Sequence, residues 1–211
     1  MNIFALSKCP VESAQQMLDK HVVKMPTESC QMLHTNELYF LYLEKYSTEP
    51  TLRNLKQFHT FTHSSLMKPA MLNHPSTIWA RKSKDNSAWL YQHAIALCEE
   101  YTFRYGKEHG SEKRIKDCNP KYVEGIATNA SPVSIAMDDQ YRIKNTFLTD
   151  WEFVNKSYRH YYLEGKWRFA EWRQNRRPEW FPHNHYAKKY NEYVVDYNKK
   201  QPRILLKLME E

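Results

Sequence analysis

Apolar residues recur at helical spacing along most of the chain. From Val11, the residues Ala14, Met17, Leu18, Val22 and Met25 repeat at three- and four-residue intervals, which predicts an amphipathic helix. Pro26 is expected to kink or restart it. Thr27 then leads a second run in which Met32, Leu33, Tyr39, Phe40 and Leu43 are available for packing. Residues 1–9 read as a short extended segment, 47–51 as a loop, and 52–80 have no clear period. A long helix is predicted over 85–105, with Asp85 as N-cap and Gly106 as stop. Polarity is high and periodicity poor over 107–145, which predicts a long irregular excursion. Helical pattern returns over 149–172, weakened at Gly165, and again over 185–199. Gln201-Pro202 breaks the chain before a short tail. The expected fold is all-α: a compact multi-helix bundle over 1–145, with a basic, aromatic-rich helical extension over 146–211 packed on it.

Composition narrows the class. The chain has 211 residues and only 4 glycines, against about 7% in an average protein. No Gly-x-Gly occurs, which excludes a Walker loop and a Rossmann fingerprint, because both need backbone to approach phosphate closely. The cysteines at 9, 30, 98 and 118 form no Cys-x-x-Cys, so a zinc ribbon has no support. Asp138-Asp139 and His183-x-His185 are too few ligands for a metal site, and neither metal nor cofactor is expected. The apolar stretch at the N-terminus is too short for a signal peptide, and no apolar run approaches the ~18 residues a membrane span needs. A soluble, intracellular protein without a membrane partner is expected. The sequence leaves the oligomeric state open.

Charge points to a partner. Lys and Arg number 31 against 24 Asp and Glu, a formal +7. Most of the excess is late: Lys156 to Tyr190 holds nine Lys/Arg against three Glu, interleaved with ten aromatics. Cations neutralise phosphates and exposed rings stack on bases, so a nucleic-acid surface is expected there, chiefly through Arg173, Arg176 and Arg177. The competing reading makes the rings a local core and the cations its wet side.

Misplaced polar residues are the candidates for chemistry. His21 lies four residues after Met17 and three after Leu18, so it falls on the apolar face, and Lys24 follows one turn later. A partly desolvated Lys24 would suit a nucleophilic amine, with Glu28 placed to pair with it. Otherwise His21 is a satisfied core histidine and Lys24 snorkels outward. On the long helix, His93 and Glu100 share a stripe and could do acid–base work or be buried hydrogen-bond partners. The four are expected to open onto one cleft. Asn73 and His74, in a turn before Trp79, and Arg104 and Lys107, around Gly106, could present donors to phosphate.

These residues carry a resemblance. The segment AQQMLDKHVVKMP resembles the first helix of the pyrimidine dimer DNA glycosylases, the endonuclease V type carried by some phages. In the bacterial branch an Asn-His-Pro turn with a following Trp precedes a helix bearing Leu, His and Glu. Here NHPSTIW, Leu90, His93, Glu100, Arg104-Tyr105-Gly106 and His109 are similar in order and spacing. The resemblance covers roughly residues 1–112. It implies a helical fold, a DNA-facing groove and a phage-encoded protein acting in the host cytoplasm. The family's catalytic carboxylate lies in a Glu-Leu-Pro, where this chain has Lys24 in Lys-Met-Pro. The family's nucleophile is a processed N-terminal amine on a Thr, where this chain has Asn2 after Met1. The expected function is a glycosylase-like or base-modifying enzyme acting on DNA, with Lys24 as amine and His21 or Glu100 moving protons. A non-enzymatic nucleic-acid-binding or host-interaction protein, and an enzyme of free nucleotides, are the alternatives.

Overall fold

A computed structural model describes residues 2–144 and 149–200. The break at 201–202 and the tail after it lie outside the described residues. Helices dominate and no strand occurs among the described residues: α1 (Pro10–Gln15), α2 (Asp19–Tyr46), α3 (Leu52–Phe61), α4 (Pro75–Lys82), α5 (Lys84–Tyr105), α6 (Glu112–Lys116), α7 (Pro120–Val123), α8 (Asp150–Tyr161) and α9 (His185–Lys200). The fold is the all-helical bundle that the periodicity predicts. None of the described helices is long and apolar enough to cross a membrane.

The long helices α2 and α5 pack together, with α1 and α4 also on α5. Their apolar faces form the main core, which Ile3, Leu6, Met17, Trp89, Leu90 and Leu97 help fill. α2 does not restart at Pro26. It runs unbroken through the proline, which is buried. A proline costs a mid-helix hydrogen bond, and burial of Val22, Met25, Cys30 and Leu33 on the same helix outweighs that cost. His109 also bonds the Val23 carbonyl at 3.0 Å, in the turn ahead of Pro26.

α5 starts as predicted within a residue, but its cap is Ser83, whose hydroxyl accepts from the Asn86 N–H at 3.1 Å. Asp85 turns away to accept from the Ile126 N–H at 2.8 Å. The excursion over 107–145 carries α6, α7 and two single 3₁₀ turns. Asn86 pins it by accepting from both the Ser131 N–H and hydroxyl. After α8, a π-turn (Tyr162–Lys166) and a 3₁₀ turn (Trp167–Phe169) replace the predicted continuation to 172. Gly165 sits in that π-turn, where a Cβ would lie 2.6 Å from the Tyr161 ring.

The second half is tied into the first. Val154, Tyr158 and Tyr162 belong to the main core. The segment after α8 then crosses the α1–α2 junction. The Glu171 carbonyl accepts from the Asp19 N–H at 2.8 Å, which satisfies one of the free donors at the start of α2. The Trp172 indole donates to the Gln16 carbonyl at 2.9 Å.

Candidate active site at the start of the second helix

Glu28, one turn beyond Lys24 on α2, is the focus of the site. Its Oε1 pairs with Lys24 Nζ at 2.9 Å, and the lysine side chain is 68% exposed. Its Oε2 accepts from the Asn2 N–H at 3.1 Å. One carboxylate therefore joins an accessible amine to the backbone nitrogen of residue 2. Asn2 is itself held by its side chain, which accepts from the Ile3 N–H at 2.7 Å and from the Tyr158 hydroxyl at 2.8 Å, and donates to the Ala136 carbonyl at 2.8 Å.

His21 precedes Lys24 by one turn on α2 and is buried. Its ring stacks on Phe4 with centroids 4.0 Å apart, and Nδ1 bonds the Tyr162 hydroxyl at 2.6 Å. Burial, then the charges of Lys166 and Lys24, lower its pKa to about 3. It is a neutral imidazole at physiological pH and a weak base there, so it fits a hydrogen-bond partner of Tyr162 better than a group that moves protons. Lys20 and Lys166 both sit over the Phe169 ring, at 4.8 and 5.7 Å from its centroid. With Lys24 they set positive charge around the start of α2, where the helix dipole adds to it.

The structure does not gather the four candidates into one cleft. Lys24 and His21 share a turn of α2, whereas His93 and Glu100 are enclosed elsewhere. His93 is 1% exposed and stacks on Trp89, and neither ring nitrogen has a hydrogen-bond partner among the described residues. Burial lowers its pKa to about 3. Glu100 is occupied by cations: its Oε1 takes Arg104 Nε at 2.8 Å and Arg176 Nε at 3.0 Å. The reason is geometric: a shared helical stripe says which residues point the same way, not whether that way is open.

The phosphate candidates separate similarly. Arg104 is fully buried and bonds Glu100, Asp19 and the carbonyls of Met17 and Gln15. Arg173 bonds Asp19 through its N–H at 3.1 Å and lies over the Tyr105 ring. Arg176 is half-buried over Phe103. Arg177 is exposed and touches His183 at 2.9 Å, and Lys107 and Asn73 are exposed. His74 caps α4, accepting from the Ser76 N–H at 3.2 Å. No group of three or more ligand-type side chains suited to a metal occurs among the described residues.

The resemblance marks residue 2 as the place of the family's nucleophile but not its partners, and sequence reasoning missed Tyr158 as one of them, since their contact spans 156 residues. Glu28 was visible only as a partner one turn from Lys24.

The fold and site together define an all-helical protein in which residue 2 meets the second helix at a carboxylate that also pairs with an exposed lysine. A family model described as pyrimidine dimer DNA glycosylase matches residues 1–113. That is more than half of the chain, and the chain belongs to this family. No curated protein and no solved structure gives a match.

Proposed function

We propose that this chain is a glycosylase that excises a pyrimidine of a dimer in duplex DNA through an imine formed beside Glu28. The observation that carries the reading is the Glu28 carboxylate, 2.9 Å from Lys24 Nζ and 3.1 Å from the nitrogen of residue 2. Family membership supplies the substrate class. Such an enzyme must unstack its target, and the lysines at the start of α2 suit the flanking phosphates.

Lys24 is the amine. It first passes a proton to Glu28 and becomes nucleophilic. Its nitrogen then bonds to the sugar C1′ as the glycosidic bond breaks, the pyrimidine leaves with the electron pair, and one of the two protons left on the Lys24 nitrogen passes to the departing ring nitrogen. The protonated Glu28 gives its proton to O4′ as the C1′–O4′ bond opens, leaving an imine between Lys24 and C1′. Glu28 moves protons here in place of Glu100, whose charge is committed to two arginines. A second reading rests on the other oxygen of the same carboxylate: if Met1 is removed, the Asn2 nitrogen becomes an amine already seated on Glu28.

Borohydride trapping on duplex DNA carrying a cyclobutane pyrimidine dimer tests both. An adduct on the Lys24 peptide supports the first reading, and one on the residue 2 peptide the second. Glu28→Gln abolishes trapping in either case while DNA retention persists. No adduct with the wild-type protein, or unchanged trapping by Glu28→Gln, overturns the proposal.

A further inference from the structure

We infer that Tyr158, from α8 and beyond the segment matched by the family model, is a positioning residue that sets the geometry of the Glu28 carboxylate through Asn2. The inference rests on the imine reading above and adds a contribution from the second half of the chain. The contacts form one continuous path. The Tyr158 hydroxyl donates to Asn2 Oδ1 at 2.8 Å, the Asn2 backbone N–H donates to Glu28 Oε2 at 3.1 Å, and Glu28 Oε1 meets Lys24 at 2.9 Å. The Tyr158 oxygen is itself fixed, accepting from the Ala136 N–H at 3.2 Å. Asn2 Nδ2 donates to the Ala136 carbonyl at 2.8 Å, so the asparagine amide is held at both ends by the second half.

The clamp is rigid for physical reasons. Tyr158 is fully buried, and its ring packs edge-on against Phe4, two residues after Asn2. Burial raises the pKa of the phenol, which keeps the O–H as a donor across the working pH range. Residue 2 supplies the N–H that Glu28 Oε2 accepts, and the clamp fixes the direction of that donor. Without the clamp the Asn2 N–H would sample other directions, and Glu28 would lose one of the contacts that orient it beside Lys24.

The test compares wild type, Tyr158→Phe, Asn2→Ala and the double variant in full-length protein. Phenylalanine keeps the ring and removes only the hydroxyl. Single-turnover imine formation on dimer-containing duplex is expected to fall by about tenfold to a hundredfold in Tyr158→Phe, the usual scale for misplacing a reacting group. The DNA dissociation constant should stay unchanged. In the Asn2→Ala background the same substitution should change the rate less than about twofold, because the two residues act as one unit. Hydrogen exchange at the Ile3 amide, whose N–H donates to Asn2 Oδ1 at 2.7 Å, provides a readout independent of activity. It should speed up several-fold in Tyr158→Phe while amides around Leu97 do not change. Wild-type rate with unaltered Ile3 exchange, or an equal loss in both backgrounds, overturns the inference. Absence of any adduct with the wild type overturns the imine reading and this inference with it, whereas equal adducts in wild type and Tyr158→Phe overturn this inference alone.

Discussion

Replacing Arg104 by methionine separates an anchoring role from a phosphate-binding one. The guanidinium is fully buried and makes four short bonds: Glu100 at 2.8 Å, Asp19 at 2.9 Å, and the Met17 and Gln15 carbonyls at 2.8 and 2.9 Å. Methionine fills most of the volume and supplies no donor. The substitution leaves two carboxylates and two carbonyls to find other partners. Removing one member of a buried ion pair costs about 3–5 kcal/mol. Arg176 still reaches Glu100 and the Arg173 guanidinium still lies 3.6 Å from Asp19, so the lower end, about 3 kcal/mol, is expected. In urea, with a slope of about 2 kcal/mol/M, the unfolding midpoint should drop by about 1.5 M. Tryptophan fluorescence reads this directly. Adding Asp19→Asn and Glu100→Gln to Arg104→Met should restore part of the loss, because the stranded charges are then gone. A loss below about 1 kcal/mol, together with a salt dependence of DNA binding shallower by about one ion, would refute the argument and make Arg104 a phosphate ligand.

Two further predictions concern pH and salt. His21 and His93 are held near a pKa of about 3 when folded, against about 6.5 when unfolded. Only the unfolded chain takes up these protons between those values, so stability is full above pH 6.5 and declines as pH falls toward 3. Each histidine should cost about 2 kcal/mol between pH 7 and pH 5. Urea unfolding at both pH values should show His93→Phe losing correspondingly less than wild type, and an identical loss would remove His93 from the account. Arg177 is exposed and contacts His183. Arg177→Ala should lower the salt slope of DNA binding by about one while changing stability by less than about 0.5 kcal/mol, and a slope equal to that of wild type would exclude a phosphate contact there.

The parts of this protein legible in its sequence are those with a short-range cause. The helical period from Val11 onward, the stop at Gly106 with its φ of 69°, the weak spot at Gly165 and the Lys24–Glu28 pair all depend on residues within about one turn of each other. Pro26 shows the limit. Its local preference is to break a helix, and the core packed along the rest of α2 overrides it.

The charged residues show the same limit in another form. Composition gives Arg104, Arg173 and Arg176 as cations fit for phosphate, but cannot say that Asp19 and Glu100 stand opposite them. The segment 171–176 reaches those carboxylates only because α8 and its π-turn carry the chain back across the α1–α2 junction. His93 and Glu100 share a stripe on α5, and the stripe turns out to face protein on all sides.

The sequence by itself determined the helical class, the family and the presence of an amine one turn from a carboxylate, because each is written in neighbouring residues or in a continuous motif. Only the tertiary structure decided that this carboxylate meets residue 2, and that Tyr158 holds residue 2 in place. Those contacts join positions 26 and 156 residues apart, and side chains that far apart in the chain acquire a common geometry only when the core between them is packed.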